Sequence, residues 1–170
     1  MPLNHIPQPE ILPIHDSLRL KRYDGNYKAF LAAYQTPYIY QNSEGIWDED
    51  KIPDLDYVKG MCQYLDTHGE LYYIEVLENG SFLPIGDVTV KAENPPIAIW
   101  LERYRGVGVG TLVMQTVIRR LKELGVRQIT GSTVYKGNLP SQRLHEKLGF
   151  RRVGETETDF IYDLKINEIS

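Results

Sequence analysis

A glycine-rich turn between an apolar run and a helical segment is the strongest constraint on this chain. The apolar run covers residues 97–101, and the turn continues as Arg103-Tyr-Arg-Gly106-Val-Gly108-Val-Gly110-Thr111. Glycine lets the backbone approach a ligand closely, and the first N–H groups of the following helix have no partners within that helix. The helix dipole is positive at the same end. The sequence therefore predicts a phosphate or pyrophosphate site at this turn.

Two common nucleotide-binding motifs do not match this turn. A P-loop ends in Gly-Lys-Ser/Thr, whereas this chain has Gly110-Thr111-Leu112. A dinucleotide-binding fold needs G-x-G-x-x-G and an acidic residue about twenty positions later. This chain has G-x-G-x-G, and the later region reads Ile129-Thr-Gly-Ser-Thr. Two interpretations stay open: a different phosphate ligand, or a tight turn with a purely structural role.

The composition is typical of one globular domain. The 170 residues are enough for one hydrophobic core, and the formal net charge of -4 gives no support for a nucleic-acid partner. No apolar run is long enough to cross a bilayer, so no membrane association is expected. Residues 1–16 are polar and proline-rich and lack the features of a signal peptide. We therefore expect a loose N-terminal arm, a domain over residues 17–170 and a cytoplasmic location.

The cysteine and histidine residues predict neither disulfides nor a metal site. Cys62 is the single cysteine of the chain, so no internal disulfide is possible. It shares the i, i+3, i+4 and i+7 spacing of a buried helix face with Val58, Met61 and Leu65, which favours a core position over a reactive thiol. The four histidines are scattered, and no two have metal-ligand spacing.

Hydrophobic periodicity predicts a single domain of the mixed α/β class. Strands are expected at residues 17–22, 70–78, 83–91, 97–102, 129–135, 150–153 and 160–166. Helices are expected at residues 26–34, 55–67, 110–124 and 140–148. Pro37 is expected to interrupt the first helix, and a loop follows up to residue 54. The early strands form an antiparallel meander, a strand–helix–strand unit follows, and a hairpin closes the domain.

A second motif, further along the chain, helps to identify the ligand of the glycine turn. Residues 138–150 read Asn138-Leu-Pro-Ser-Gln-Arg-Leu144-His145-Glu-Lys-Leu-Gly149-Phe150. This motif resembles the second signature of the GNAT N-acetyltransferase family, Asn-x-x-Ala/Ser-x-x-Leu-Tyr-x-x-x-Gly-Phe. The earlier turn resembles the family's first signature, Arg/Gln-x-x-Gly-x-Gly/Ala, and the distance between the two is also similar. The specific resemblance covers about residues 97–150, and the order of elements fits the family over nearly the whole domain.

The resemblance implies a GNAT-like fold and a substrate. The fold has a mostly antiparallel central sheet, a splayed pair of parallel strands, here residues 97–102 and 129–135, and flanking helices. The implied reaction is transfer of an acetyl group from acetyl-CoA to a primary amine by direct attack, without a metal. Leu101 would offer a backbone N–H as oxyanion donor, and Asn138 would contact the cofactor arm. The other implied coenzyme A contacts are Arg103, Arg105, Gly106, Val107, Gly108, Val109, Gly110 and Thr111.

The implied acid departs from the family pattern. Many members have Tyr after the Leu of the second signature, as the group that protonates the departing thiolate, whereas this chain has His145. An imidazolium could donate that proton, since its ordinary pKa is about 6.5. The alternative is a helix residue with a structural role only. Tyr135, at the end of the splayed strand, is the second candidate acid, and its alternative is a packing role.

The base and the acceptor are less constrained. Some relatives carry Glu before the glycine turn, where this chain has Pro96. Asp87, Glu75 and Glu102 are the nearby carboxylates, and each is also explained as a solvated or hydrogen-bonded strand residue. Aromatic and acidic side chains between residues 34 and 56 suit a cationic amine, such as a polyamine, an aminoglycoside or a basic peptide end, or else form a solvated acidic surface.

Two further expectations concern the biological role. The resemblance implies a homodimer as a possible assembly. The departures at His145 and Pro96 also leave a function of another class open: a non-catalytic module that binds acetyl-CoA as a sensor or interaction domain.

Overall fold

The computed structural model describes residues 6–166. Its strands and helices are interspersed along the chain, as expected for the mixed α/β class. The strands are β1 (Ile11–His15), β2 (Leu18–Arg22), β3 (Glu70–Glu78), β4 (Ser81–Val90), β5 (Ile97–Ile99), β6 (Gln128–Tyr135), β7 (Arg151–Glu155) and β8 (Asp159–Lys165). The helices are α1 (Lys28–Tyr34), α2 (Pro37–Asn42), α3 (Leu55–His68), α4 (Val109–Glu123) and α5 (Leu139–Lys147), with short 3₁₀ turns at Glu49–Lys51 and Glu102–Tyr104.

The strands form two antiparallel sheets. The first has the order β1-β2-β3-β4-β5, and the second has the order β6-β8-β7. Successive strands of the first sheet pair antiparallel with one another, and β3, β4 and β5 form the predicted meander, whereas helices α1–α3 lie between β2 and β3. The predicted mixed α/β fold, with its mostly antiparallel strands and flanking helices, is therefore confirmed.

The two sheets touch at one end and separate at the other. In the described chain, the bridge between them is a parallel pairing of Glu93 with Thr130. There Thr130 N donates to Ala92 O at 2.9 Å and Asn94 N donates to Thr130 O at 2.8 Å. Beyond this bridge, β5 pairs only with β4, and β6 pairs only with β8. The gap between β5 and β6 is thus the predicted splay of two parallel strands.

The N-terminal half differs from the sequence prediction in two places. Ile11–His15 were expected in a loose arm but form β1, which pairs with β2 at the edge of the first sheet. Residues 1–5 of the predicted arm lie outside the described residues. Pro37 does not simply interrupt a helix: it begins α2, because the first position of a helix needs no N–H donor.

The first sheet separates two hydrophobic cores. Alternate side chains of β3 point to opposite faces: Tyr72 and Ile74 join the core under α4, and Leu71 and Tyr73 join the core under α1–α3. Cys62 is buried in the second core, as its helical spacing predicts. The two faces of the sheet are relevant to function because β4 and β5 connect the second core to the gap between β5 and β6.

A glycine on β4 sets how closely β5 approaches. A Cβ atom on Gly86 would clash with the carbonyl oxygen of Ala98 and would lie 3.2 Å from Ile74 Cδ1 and 3.3 Å from Ile99 Cα. Gly86 pairs with Ile99 in the β4–β5 ladder. Any side chain at residue 86 therefore pushes β5 away from β4.

We expect Gly86→Ala to lower the free energy of unfolding by about 1–3 kcal/mol, the usual cost of overpacking. Gly60→Ala is the matched control, because its Cβ meets nothing within 4 Å on α3. Alanine there should stabilise the helix by roughly 0.5–1 kcal/mol. Urea unfolding of both variants measures the difference. Equal stability of Gly86→Ala and the wild type would show that β5 adapts without cost.

Candidate active site

A cavity of about 750 Å³ opens beside β5 at the splay. Its walls come from β5, the end of α2, the glycine turn, the first turn of α4 and one face of α5. Pockets of this size are typical of small-molecule sites. Of the residues predicted to contact coenzyme A, the cavity wall contains Arg105, Gly106, Gly108, Gly110, Thr111 and Asn138.

The glycine turn presents bare backbone to this cavity. Gly106 has a φ of +72° and Gly108 a φ of +92°, and a Cβ on either would meet nothing within 4 Å. Gly108 is the N-cap of α4, and no described side chain caps that helix. The N–H groups of the first turn of α4 are therefore available to an anion, and the helix dipole favours one.

Helix α5 adds positive charge to the opposite wall. Arg143 and Lys147 both line the cavity, and the i, i+4 spacing puts them on one face of α5. Sequence reasoning missed both residues, although their spacing beside the second signature could have indicated them. Leu144, between them, lines the same wall with an apolar side chain.

Arg105 lies in the glycine turn and contacts two further walls of the cavity. Its Nε donates to the carbonyl oxygen of Ile99 at 2.9 Å, and its Nη2 donates to that of Trp100 at 2.7 Å. Its guanidinium also lies over the ring of Tyr38, 3.7 Å from the ring centre. The glycine turn, the end of β5 and helix α2 are thus held in one arrangement by a single side chain.

The other predicted coenzyme A residues lie outside the cavity wall. Arg103 donates twice to Glu78 at 3.0 Å, and Glu78 also accepts from the Tyr104 hydroxyl, so the charge of Arg103 is already paired on β3. These partners lower the pKa of the Glu78 carboxyl, with the tyrosine as the larger cause. Leu101 is the N-cap of the following 3₁₀ turn. Val107 and Val109 flank Gly108 and contribute no side chain to the wall.

His145 is part of α5, but its side chain is on the buried face of that helix and not in the cavity wall. It is 6% exposed, and its ring packs against Phe150 and Tyr162. Its Nδ1 is 2.7 Å from the carbonyl oxygen of Ser141, and its Nε2 is 3.4 Å from the Ser132 hydroxyl oxygen. Because a carbonyl only accepts, Nδ1 carries the proton and Nε2 accepts from Ser132.

This environment does not fit the predicted acid role of His145. Burial lowers the pKa of the imidazole from its ordinary value, so the neutral form is favoured at pH 7. Neither ring nitrogen faces the cavity, since both are used by Ser141 and Ser132. The spacing of the signature places residue 145 on α5, but the packing of α5 on β8 turns its side chain inward.

Tyr135 and Asn138 lie at the junction of β6 and α5. The Tyr135 ring packs against Trp47, with 5.8 Å between ring centres, and it lies against Gly137, where a Cβ would clash with it. Tyr135 is outside the cavity wall, and its acid role stays a prediction. Asn138 caps α5, because its Oδ1 accepts from Ser141 N at 3.2 Å, and it also lines the cavity.

Comparison with known proteins identifies the family of this chain. Residues 27–150 match the acetyltransferase (GNAT) family. The chain belongs to this family. A comparison with curated proteins gives no match to the sequence.

Solved structures with the same fold cover almost the whole GNAT domain. A domain from Methanocaldococcus jannaschii is 20% identical, with a TM-score of 0.76 over 88% of this chain and 99% of the other. A putative acetyltransferase from Salmonella typhimurium, solved with acetyl-CoA, is 17% identical, with a TM-score of 0.64 over 90% and 96%. The Salmonella typhimurium enzyme that modifies the N-terminal serine of ribosomal protein L7/L12 is 14% identical, with a TM-score of 0.68 over 92% and 99%.

Two findings concern metals and membranes. Residues 6–166 of this GNAT protein contain no group of three or more His, Cys, Asp or Glu side chains that could hold a metal ion. In the same range, no helix is long and apolar enough to cross a membrane.

A buried carboxylate lies behind β5. Asp87 on β4 is 0% exposed and pairs in the ladder with Ala98, which lines the cavity. The Tyr34 hydroxyl donates to Asp87 at 2.8 Å, and Trp100 Nε1 donates at 2.8 Å. Burial raises the pKa of Asp87 to about 7, although both donors act in the opposite direction.

Glu44 is a second carboxylate that interacts electrostatically with Asp87. The sequence places it among the acidic side chains of the acceptor region, not among the candidate bases. It follows Asn42 and Ser43, which line the cavity at the end of α2. The pKa of Glu44 is raised to about 7: burial is the largest cause, the charge of Asp87 acts in the same direction, and a hydrogen bond from Tyr57 acts in the opposite direction. In turn Glu44 contributes to the raised pKa of Tyr57, which is about 12. No local sequence pattern identifies Glu44, because the groups that interact with it, Tyr57, Asp87 and Tyr34, come from three separate elements.

The raised pKa values predict a pH-dependent stability. A carboxyl whose pKa is higher in the folded state stabilises the fold fully below its unfolded pKa, and this contribution is lost as the pH rises through the folded pKa. For Asp87 and Glu44 the window runs from the ordinary values, 3.8 and 4.5, to about 7. The wild type should therefore lose stability from pH 5 to pH 8.

We expect Asp87→Asn to lose less stability than the wild type between pH 5 and pH 8. The variant removes one of the two titrating groups and also the charge that raises the pKa of Glu44. Urea unfolding at both pH values measures the difference. Asp16→Asn, an exposed change in the β1–β2 turn, is the control and should follow the wild type. An identical pH dependence for Asp87→Asn would contradict the buried-carboxylate assignment.

Proposed function

We propose that this protein transfers an acetyl group from acetyl-CoA to a primary amine by direct attack of the amine. The observation that carries the proposal is the bare glycine turn at the N-terminus of α4, which opens into the cavity beside the splayed strand β5. The family supplies the reaction class, since members of the GNAT family are acetyltransferases. A structural neighbour solved with acetyl-CoA has the same fold over most of its length.

The cavity walls suit the two ends of coenzyme A. The pyrophosphate would accept hydrogen bonds from the N–H groups at the start of α4, in the open space beside Gly106 and Gly108. Arg143 and Lys147 on the opposite wall would add charge-assisted contacts to phosphate. The apolar strand β5 would lie beside the pantetheine arm. Bound there, acetyl-CoA supplies an activated acyl group as a thioester.

The acceptor would enter from the α2 side of the cavity. Tyr38 on α2 is 39% exposed and Trp47 is 59% exposed, and these rings offer aromatic surface to a cationic amine. Carboxylates follow on the same loop, among them Asp48 and Glu49. One structural neighbour modifies the N-terminal serine of a ribosomal protein, so a peptide amine is one of the acceptor classes to test.

Direct attack is favoured over a covalent enzyme intermediate by the state of Cys62. The thiol is 1% exposed in the core under α1–α3. Burial raises its pKa to about 12, so the thiol stays protonated at neutral pH and is a poor nucleophile. Cys62 is also outside the cavity wall. The predicted cytoplasmic location, homodimer and non-nucleic-acid partner stay predictions.

We expect Gly108→Glu to abolish the thermal stabilisation of the protein by acetyl-CoA. The new carboxylate would occupy the space next to the α4 N-terminus and repel the pyrophosphate. Gly25→Glu is a matched control, because Gly25 has the same φ of +92° and equally open surroundings in the β2–α1 loop. Thermal melts with and without acetyl-CoA measure the effect. If acetyl-CoA stabilised Gly108→Glu as much as Gly25→Glu, the proposal that coenzyme A binds at this turn would be wrong.

Acetyl transfer itself is tested by release of free thiol from acetyl-CoA with a panel of amines. The panel contains spermidine, an aminoglycoside and a short peptide with a free N-terminal serine. Steady thiol release that depends on one of these amines, with the acetylated amine seen by mass spectrometry, is the expected result. Stabilisation by acetyl-CoA without turnover across the panel would instead favour the non-catalytic sensor or interaction module.

A further inference from the structure

The guanidinium of Arg105 is only partly used by the contacts that hold it in the cavity wall. Its Nε and Nη2 donate to the carbonyl oxygens of Ile99 and Trp100, and one of its faces lies over the ring of Tyr38. A guanidinium has five N–H groups. The two N–H groups of Nη1 and the second N–H group of Nη2 have no hydrogen-bond partner in the described chain. These three donors are therefore available to a bound molecule.

The charge of Arg105 has no counter-ion within the described part of the chain. Arg103 pairs with Glu78, and Arg120 pairs with Glu70, and these carboxylates raise the pKa of each guanidinium. For the half-buried Arg105, burial is the largest influence and lowers the pKa of the guanidinium. An anionic ligand at this wall would thus meet a positive charge that no carboxylate already occupies.

Arg105 and the groups proposed to bind phosphate lie on different walls of the cavity. Arg143 and Lys147 are on α5, and the start of α4 supplies backbone N–H groups. Arg105 is instead bonded to the end of β5 and stacked on α2, the helix on the acceptor side of the cavity. The phosphates of coenzyme A would therefore have donors of their own, which leaves the charge of Arg105 for the second substrate.

We propose that Arg105 binds a carboxylate of the acceptor, so that the acceptor is a free amino acid or a similar small amine with a carboxylate close to its amino group. This inference rests on the proposed acetyl transfer and names its substrate class. The unused edge of the guanidinium can form two parallel hydrogen bonds with the oxygens of one carboxylate. Tyr38 holds the plane of the guanidinium, and the two β5 carbonyl oxygens fix its rotation within that plane.

The place of Arg105 beside β5 limits the distance between the two groups of the acceptor. The amine must reach the acetyl carbon, which in the proposed complex lies beside β5. The carboxylate must reach a guanidinium that is bonded to residues 99 and 100, at the end of the same strand. Since β5 is three residues long and a strand rises about 3.3 Å per residue, the two groups lie within about 10 Å of each other. An α-amino acid meets this limit.

The acetylation of an amino acid by this route is balanced in atoms and charge. The ammonium group first loses one proton to solvent. Its nitrogen then forms a bond to the acetyl carbonyl carbon while the carbon–sulfur bond breaks. A second proton from the nitrogen passes to the departing sulfur and yields the free thiol. The acceptor carboxylate keeps its charge throughout, so Arg105 can hold both the amino acid and its N-acetyl product.

The first test compares the twenty common L-amino acids with their amides as acetyl acceptors. An amide replaces the charged carboxylate by a neutral group of almost the same shape. Its amino group, like that of a peptide, has a pKa of about 8, so more of it is free amine at pH 7. We expect kcat/KM of the best amino acid to exceed that of its amide by about 10–100-fold, the effect of a hydrogen bond between charged groups. Equal or faster transfer to the amide in every pair would overturn the proposal.

Arg105→Gln separates carboxylate recognition from the structural contacts of Arg105. It should lower kcat/KM for the amino acid by about 10–100-fold more than for the amide, because only the amino acid loses an ionic partner. Arg105→Lys should restore part of the preference, since it keeps the charge without the planar fork. A purely structural role predicts an equal fall for the amino acid and its amide, and that result would overturn the proposal.

Arg143→Gln is the matched control, because it removes a cation from the α5 wall of the same cavity. It should weaken the thermal stabilisation by acetyl-CoA and keep the ratio of the two kcat/KM values. The opposite result would assign Arg105 to a phosphate of coenzyme A and overturn the proposal: Arg105→Gln would abolish the stabilisation by acetyl-CoA, and the ratio would stay at its wild-type value.

The failure of this inference and the failure of the proposed function give different results. Transfer to spermidine, an aminoglycoside or a peptide, but to no amino acid, would overturn this inference and leave acetyl transfer intact. Binding of the amino acid is also measured without turnover, as extra thermal stabilisation of the wild type with coenzyme A that Arg105→Gln lacks. That stabilisation without transfer to any amine would retain the carboxylate site and overturn the proposed acetyl transfer.

Discussion

The separation of β5 from β6 is the feature on which the rest of the site depends. A strand edge without a partner leaves backbone N–H and C=O groups that must be satisfied in another way. At the end of β5, Arg105 supplies donors to the carbonyl oxygens of Ile99 and Trp100 from within the glycine turn. The same side chain stacks on Tyr38 of α2. The break in the sheet and the shape of the cavity are therefore stabilised by one set of contacts.

The layer next to the cavity contains a carboxylate whose burial costs free energy. Placing Asp87 in an apolar layer disfavours its charged form, and the donors Tyr34 and Trp100 offset only part of that cost. Buried Glu70, by contrast, is paired: it forms a bidentate ion pair with Arg120, at 2.8 and 2.9 Å.

Local chemistry explains why much of this protein could be predicted. Helix α4, its bare N-terminus and the two signatures depend on residues that are neighbours along the chain. The glycines determine the backbone conformation of the turn wherever the turn lies, since residues 106 and 108 have positive φ. The alternation on β3 and the spacing around Cys62 likewise indicate buried faces without reference to the rest of the fold.

Side-chain direction and partners across the fold could not be predicted in the same way. His145 occupies a signature position, yet the packing of α5 turns it under the helix, and the pairing of Arg103 with Glu78 depends on where β3 ends. The sequence predicted an interruption at Pro37 followed by a loop, whereas α2 begins there and packs through Ile39 on the second core. The amino-acid sequence alone thus determined the glycine turn at the start of α4, because that turn is local. The tertiary structure alone decided the burial of Asp87 beneath Tyr34 and Trp100, because α1 and β4 meet only when the sheet is covered by its helices.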